Sequence, residues 1–165
     1  MKKIAYLFIL LCFISCENKS KRTYYVPSDL SVMCLGVPVE GKELFTPKKV
    51  KIIACFTQFS KESLQDRNMQ DFMLAIERYK DNKDVVFLFY LSPKNKDFTE
   101  MEHFLKEINF AYPVIYDVDS EFQNRNYKKV YSFICEIFDI NNRYVDTDNP
   151  SRGHSFYATI DKLLN

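Results

Sequence analysis

Residues 50–64 constrain the fold more than any other part of the sequence. The stretch begins with Val50–Phe56, a nearly unbroken apolar run that contains a single lysine. Strands that are buried on both faces of an α/β sheet have such runs, whereas half-exposed strands alternate apolar and polar residues. Ser60 suits the N-cap of a following helix, and Phe59 and Leu64 have the spacing of a hydrophobic staple. The stretch therefore predicts a central strand that leads directly into a helix.

The rest of the chain alternates strand and helix patterns. Further along the helix that starts at Ser60, helical spacing puts Phe72, Ala75, Ile76 and Tyr79 on one face. The same spacing predicts two more helices, with faces formed by Met101, Leu105 and Ile108 and by Phe156, Ile160, Leu163 and Leu164. Strands are predicted at residues 85–91 and 112–116, with a hairpin from 131–138 to 144–145. Asp97 and Glu100 could form a capping box, and Asp119 or Ser120 could cap a short helix near Phe122. This order predicts an α/β fold, a central mixed sheet flanked by helices on both faces.

The N-terminus has the pattern of an export signal. Lys2 and Lys3 precede an apolar run over residues 4–14, which is shorter than the roughly 20 residues of a membrane-spanning helix. The run ends in Phe13-Ile14-Ser15-Cys16, which resembles the lipobox of bacterial lipoproteins, although that family prefers leucine where Phe13 stands. The resemblance implies lipidation of Cys16 and a mature chain held on a membrane of the bacterial cell envelope, on its periplasmic or surface face. The alternative is an ordinary cleaved signal with an incidental cysteine.

Composition narrows the functions of the folded part. The formal net charge is +1, which argues against general binding to nucleic acid, because that requires a basic face. Of five cysteines, Cys12 lies within the signal and Cys16 is the proposed lipid site. The other three are Cys34, Cys55 and Cys135. No C-x-x-C spacing occurs in the chain, and with two histidines available we expect no metal site and no cofactor.

Three segments together carry a family resemblance. Lys51-Ile52-Ile53-Ala54-Cys55-Phe56 precedes Phe59-Ser60-Lys61-Glu62-Ser63, Val85–Leu91 forms a second core run, and Ile137-Phe138-Asp139 precedes Asn141-Asn142-Arg143. They resemble the thioredoxin-like fold, and most closely the membrane-anchored thiol-disulfide oxidoreductases and their relatives among bacterial lipoproteins. The resemblance covers residues 48–165. It divides the chain into a signal at 1–15, a tether at 16–23, an N-terminal extension with short strands at 24–47, and the thioredoxin-like domain.

The resemblance also implies that this chain has lost the family's chemistry. Ser60 and Ser63 occupy the positions of the two redox cysteines, and the family's cis-proline would lie near Phe133, where no proline occurs. Disulfide exchange requires a thiolate, which a helix N-terminus stabilises, whereas a serine hydroxyl stays protonated at neutral pH. We therefore expect no catalytic residue among the serines and a partner groove formed by Phe59, Ser60, Ser63 and Phe133.

Catalysis by the remaining cysteines or by Ser60 would require side chains to lie close together in ways that the sequence does not specify. Cys55 and Cys135 lie on strands that are neighbours in the family's sheet, so their sulfurs could approach each other, or both could be buried and inert. Cys34, in the N-terminal extension, could be the reactive thiol. A nucleophilic Ser60 would require a nearby base, and nothing in the sequence brings His103 or His154 to it.

Several polar and aromatic groups have two interpretations. Asp117, Asp119 and Glu121 could suggest calcium, but they lack the spacing of a calcium loop, so we predict turn and helix-cap roles. We interpret Lys48, Lys49, Lys51, Lys128 and Lys129 as solvated flanks of buried strands. The tyrosines could complete the core or form an interface with a partner: Tyr24, Tyr25, Tyr127, Tyr131, Tyr144 and Tyr157.

Three functional hypotheses follow. The first is a lipid-anchored binding or accessory module without a redox dithiol, with a protein partner in the envelope. The second is an atypical thiol-disulfide oxidoreductase or peroxidase that uses Cys55, Cys135 or Cys34. The third is a purely structural envelope lipoprotein.

Overall fold

A single mixed sheet forms the centre of the protein in the computed structural model, which describes residues 23–25, 31–56, 68–92, 97–128 and 133–165. Its seven strands have the spatial order β2-β1-β5-β4-β3-β6-β7. Their bounds are β1 Ser31–Cys34, β2 Val37–Pro38, β3 Val50–Phe56, β4 Val85–Leu91, β5 Val114–Tyr116, β6 Phe133–Asp139 and β7 Tyr144–Asp146. β3, β4 and β5 run parallel to one another, and the other pairings are antiparallel.

Four α-helices accompany the sheet within the described residues: α1 Asn68–Tyr79, α2 Thr99–Glu107, α3 Glu121–Asn126 and α4 His154–Leu164. Short 3₁₀ helices cover Lys42–Phe45 and Pro150–Arg152. Over the described part of the chain, every helix is too short or too polar to cross a membrane.

β3 is the central strand because both of its faces and both of its edges are covered. All seven of its residues are buried, as the apolar run predicted. It pairs in parallel with β4 from Val50 opposite Val85, and antiparallel with β6 from Val50 opposite Asp139 to Phe56 opposite Phe133. We call the end of the sheet where β3 and β4 begin the amino edge, and the end where they finish the carboxyl edge.

The two faces of the sheet form two separate hydrophobic cores. The first core receives α1, α2 and α4 through residues that include Phe72, Ala75, Met101, Leu105, Phe156 and Ile160. The second core receives α3 through Phe122. The prediction of helices on both faces is therefore confirmed, although three helices cover one face and one short helix covers the other.

Most predicted elements are confirmed within the described residues. The strand entered through Pro113 is three residues long, and the hairpin formed by β6 and β7 turns at residues 140–143. The capping box is wrong in detail: Asp97 accepts a hydrogen bond from the Thr99 amide at 2.9 Å, but Phe98 occupies the N-cap. The predicted helix start at Ser60 lies outside the described residues.

The interpretation of Lys51 as a solvated flank is wrong. Its side chain is 6% exposed, and its ammonium donates to three backbone carbonyls, those of Lys48 at 3.1 Å, Asp139 at 2.8 Å and Ile140 at 3.2 Å. Burial lowers the pKa of Lys51, and the nearby Asp139 carboxylate opposes that shift. An ammonium has three donors and no acceptor, so all of its hydrogen-bonding capacity is used here. The lysine thus ties the start of β3 to the β6–β7 turn.

The core explains four of the six tyrosines singled out from the sequence. Tyr24, Tyr127 and Tyr144 belong to or pack against the second core, and Tyr157 packs against the first. Tyr25 is 39% exposed, and the Arg125 guanidinium lies 4.5 Å from its ring centroid. Tyr131 lies outside the described residues.

Candidate functional site

The candidate groove is at the carboxyl edge, where β3 leads into the segment with the two serines. Phe133 pairs directly with Phe56, the last residue of β3, and their ring centroids are 4.9 Å apart. Phe59, Ser60 and Ser63 belong to residues 57–67, which are outside the described part of the chain. The register therefore brings Phe133 to the end of the strand from which the serine segment continues.

The candidate groove borders a cluster of aromatic rings, which we call its aromatic floor. Phe72 of α1 lies edge-on to both Phe56 and Phe133, with centroid distances of 6.4 Å and 6.3 Å, and to Phe89 of β4 at 5.2 Å. Edge-to-face arrangements in this distance range are favourable for aromatic pairs. Phe133 is partly exposed at the margin of the first core, whereas the other three rings are buried. This floor has no group that could act as an acid, a base or a nucleophile, and it suits contact with an apolar side chain.

Polar groups at the carboxyl edge bond to one another. The Ser92 amide donates to the Phe56 carbonyl at 2.9 Å, and its hydroxyl donates to the Asp117 carbonyl at 2.9 Å. The hydroxyls of Ser92 and Ser120 are also in contact. These hydrogen bonds connect the carboxyl ends of β3, β4 and β5 to one another.

Asp117 caps α3. Its two carboxylate oxygens accept from the amides of Phe122 at 3.2 Å and Gln123 at 3.3 Å. Burial raises the pKa of Asp117, and the hydrogen bonds from the backbone oppose that shift. Ser120 holds the N-cap position, as predicted, but its side chain makes no capping bond. The cap role predicted for this acidic group is therefore filled by Asp117.

Cys55 and Cys135 point to opposite faces of the sheet. Cys135 pairs with Ala54, and Cys55 pairs with Ile134, so the two cysteines are one residue out of register. Successive side chains on a strand point to opposite faces. Accordingly, Cys55 belongs to the second core and Cys135 to the first. A disulfide would require one of the two strands to turn over.

Both buried thiols are held in the protonated form. Cys55 is fully buried, and burial raises its pKa, with the carboxylates of Asp117 and Glu136 adding to the shift. Burial also raises the pKa of Cys135, assisted by Asp148 and Glu136. The thiolate is the reactive species in disulfide exchange, so both shifts oppose reactivity.

Cys34 is far from the other two thiols across the sheet. It ends β1, which β5 and β4 separate from β3. With strands about 4.8 Å apart, three strand spacings amount to about 14 Å, well beyond the reach of a disulfide. All three cysteines are free, and Cys34 alone among them is partly exposed.

The remaining candidates are the two histidines and a metal site. His103 is exposed on α2, and His154 is exposed at the start of α4. Among the described residues, no group of three or more histidine, cysteine, aspartate or glutamate side chains could hold a metal ion.

Sequence reasoning missed two buried carboxyl groups, those of Glu136 and of Asp148, which is 5% exposed. Glu136 is 2% exposed on β6 and accepts a hydrogen bond from the Tyr127 hydroxyl at 3.1 Å. The signal was present, because Glu136 is the one charged residue inside the apolar run that β6 forms before Asp139. Nearby, the fully buried Tyr90 hydroxyl has no hydrogen-bond partner among the residues that the structure describes, and the Tyr90 ring stacks on Phe122 with a centroid distance of 3.6 Å. This face of the sheet is thus mainly aromatic and also holds a buried carboxyl group and tyrosine hydroxyls.

Comparison with known proteins identifies the fold. No protein-family model matches the sequence, and no curated protein matches it. Solved structures do match. A candidate thioredoxin from Neisseria meningitidis is 17% identical with a TM-score of 0.60, and the match covers 82% of this chain and 88% of that one. A candidate thiol:disulfide interchange protein DsbE from Chlorobium tepidum is 11% identical with a TM-score of 0.63, covering 88% and 99%.

A third solved structure matches this chain with similar coverage and TM-score. The C-terminal domain of a candidate thiol-disulfide oxidoreductase from Bacteroides thetaiotaomicron is 16% identical with a TM-score of 0.60, covering 88% of this chain and 97% of that one. At such identities the likeness concerns the backbone fold alone. The chain therefore has the thioredoxin-like fold.

Proposed function

We propose that this chain is a lipid-anchored cell-envelope protein that uses a thioredoxin-like domain without a redox dithiol as a binding or accessory module. The single observation that carries the proposal is the position of Cys55 and Cys135 on opposite faces of the sheet. A thioredoxin-like enzyme requires two thiols that can meet, or one reactive thiolate, at an accessible edge. Neither buried thiol satisfies this requirement.

The carboxyl edge is the proposed contact surface. It would consist of Phe59, Ser60, Ser63 and Phe133, with the aromatic floor of Phe56 and Phe72 beneath. Aromatic side chains are favoured at the centres of protein interfaces. The partner we propose is therefore a protein of the envelope that inserts an apolar side chain beside Phe133.

Membrane attachment is proposed from the sequence of the N-terminus. The lipobox-like Phe13-Ile14-Ser15-Cys16 would place the lipid on Cys16. Mass spectrometry of the chain purified from a bacterium that processes lipoproteins tests this step. A diacylglyceryl mass on Cys16 is expected, and an unmodified N-terminus would refute it.

Redox inactivity is tested by reduction of insulin disulfides and by peroxide consumption. We expect no turnover by the wild type above the background of free dithiothreitol. Turnover that disappears in Cys34→Ser, Cys55→Ser or Cys135→Ser would refute the proposal and favour an atypical oxidoreductase or peroxidase.

The contact surface is tested by photo-crosslinking in intact envelopes. A photoreactive phenylalanine analogue at position 133 is expected to capture one specific protein. The same analogue at position 74 is the control, because Leu74 is 64% exposed on α1 but lies away from the groove. Equal capture at both positions, or capture at neither, would favour a purely structural lipoprotein.

A further inference from the structure

The segment Thr23 to Tyr25 is fixed to the domain by several contacts. Thr23 forms a β-bridge with Arg143. The Tyr24 ring lies edge-on to Phe138 with a centroid distance of 4.7 Å. The Tyr25 amide donates to the Asn126 side-chain oxygen at 2.6 Å, and the Asn126 side-chain amide donates to the Tyr25 carbonyl at 2.8 Å. All three residues of this segment are thus attached to the domain.

Thr23 lies at the amino edge of the sheet. Its bridge partner Arg143 follows the β6–β7 turn, and the Asp139 amide donates to the Arg143 carbonyl at 3.0 Å. Asp139 in turn pairs with Val50, the first residue of β3. The candidate groove lies at the other end of β6, whose seven residues span about 20 Å.

The distance from Thr23 to a lipid on Cys16 is limited by chain length. Seven backbone steps separate the two residues, so their Cα atoms are at most about 25 Å apart even in a fully extended chain. If the membrane faced the carboxyl edge, the connection would have to run back along nearly the whole sheet. If the membrane faces the amino edge, no such detour is needed.

Resting on the proposed lipid anchor, we infer that the β6–β7 turn at the amino edge faces the phospholipid surface and that the groove beside Phe133 faces away from it. The short connection favours this orientation, because reaching a membrane at the carboxyl edge would use about 20 Å of its maximum length of about 25 Å. It leaves the carboxyl edge open to a partner in the aqueous compartment, while the membrane itself covers the turn.

The chemistry of the turn and of the connection suits a phospholipid surface. Ile140 is 52% exposed at the turn, and Arg143 is exposed next to it. Three cations, Lys19, Lys21 and Arg22, lie between Cys16 and Thr23. Basic residues near a membrane are attracted to anionic headgroups, and an exposed aliphatic side chain gains by entering the interface.

The test uses tryptophan as a position-specific probe, because the sequence contains no tryptophan. Ile140→Trp puts the probe on the turn, and Val118→Trp puts it at the carboxyl edge just after β5. The two sites are matched, since both are aliphatic turn residues with exposures of 52% and 44%. Each full-length lipoprotein is reconstituted in vesicles of phosphatidylcholine and phosphatidylglycerol whose chains are brominated close to the headgroup.

We expect Ile140→Trp to lose the larger share of its fluorescence in brominated vesicles and Val118→Trp to lose almost none. Equal quenching at both positions, quenching at neither, or quenching at Val118→Trp alone would overturn the orientation. Flotation of the vesicles separates this failure from failure of the anchor. A wild type that does not float would refute the anchor and the orientation with it, whereas a floating protein with the wrong quenching pattern would refute the orientation alone.

A second variant tests whether the short connection sets the orientation. A long Gly-Ser insertion between Arg22 and Thr23 lets the domain move away from the membrane without altering any described residue. Flotation should persist and the quenching of Ile140→Trp should fall sharply. Undiminished quenching would overturn the argument from chain length. Cys16→Ser in the Ile140→Trp background should abolish both flotation and quenching. Quenching that survived this change would show that the lipid on Cys16 does not hold the turn at the membrane.

Discussion

Replacing Lys51 with methionine tests whether a buried cation stabilises the contact between β3 and the β6–β7 hairpin at the amino edge. Methionine keeps most of the length of the side chain but removes the ammonium. The change removes the ammonium donor from three backbone carbonyls, those of Lys48, Asp139 and Ile140. The Asp139 carbonyl keeps the hydrogen bond that the Asn142 amide donates at 3.0 Å. Asp139 ends β6 and Ile140 begins the β6–β7 turn, so the variant weakens the connection between this part of the hairpin and the start of β3.

The expected loss of stability follows from these three contacts. A hydrogen bond to a charged group contributes about 1.5–3 kcal/mol, but removing the charge also removes its desolvation penalty. Water can reach the turn carbonyls in the variant, because Ile140 is exposed. A net loss of about 1 kcal/mol per carbonyl gives about 3 kcal/mol for Lys51→Met. For a chain of this size, that amounts to a fall in Tm of roughly 6–12 °C.

The control for this variant is Lys49→Met. Lys49 is two residues away and forms a surface ion pair with Asp84 at 3.3 Å, in which both side chains are 49% exposed. Such pairs contribute about 0–1 kcal/mol. Urea unfolding followed by circular dichroism gives both free energies under one set of conditions. Equal effects of the two variants would show that the Lys51 ammonium is solvated and would refute the reasoning.

Three further predictions concern the thiols and the attached segment. Alkylation of the native protein, mapped by peptide mass spectrometry, should modify Cys34 rapidly and Cys55 and Cys135 only as fast as the chain unfolds; rapid labelling of either buried thiol would contradict their placement. Burial raises the pKa of Cys55 above its ordinary value of 9.0, so the stability that this thiol contributes is complete below about pH 9 and is lost as the pH rises further. Wild type should therefore lose about 1.4 kcal/mol more than Cys55→Ala between about pH 8 and about pH 10, and parallel losses would show that the thiol is solvated. Asn126→Ala removes the paired bonds to the Tyr25 backbone, so hydrogen exchange of the Tyr25 amide should accelerate, and unchanged exchange would mean that other contacts hold the segment.

The sequence was sufficient to predict the central strands, because runs of consecutive apolar residues indicate burial on both faces of a sheet. Val50–Phe56 and Val85–Leu91 are apolar on both faces, and both are buried parallel strands. The helical spacing of Phe72, Ala75 and Tyr79 likewise predicted the face of α1 that enters the first core. Such elements can be predicted from local pattern, since the polarity of each of their residues indicates whether that residue is buried.

Contacts between distant segments could not be predicted in this way. Lys51 lies within a predicted strand, but lysine is usually a surface residue. Two of the carbonyls that accept from its ammonium, at 2.8 Å and 3.2 Å, belong to residues 88 and 89 positions further along the chain. Cys55 and Cys135 could be assigned to neighbouring strands, but the register decides whether they meet. A shift of one residue exchanges the two faces of a strand, and no feature of either segment alone fixes that shift.

The same register links the two proposals. Pairing Phe56 with Phe133 brings an aromatic ring to the end of β3, and it simultaneously sets Cys135 opposite Ala54, facing away from Cys55. A strand shifted by one residue would bring the thiols to one face and would turn Phe133 out of the first core. The antiparallel direction of β6 then carries the chain to Asp139 at the amino edge, where the segment from Thr23 is attached. One strand therefore separates the two thiols, contributes Phe133 to the proposed groove, and keeps that groove about 20 Å from the point where the proposed membrane connection joins the domain.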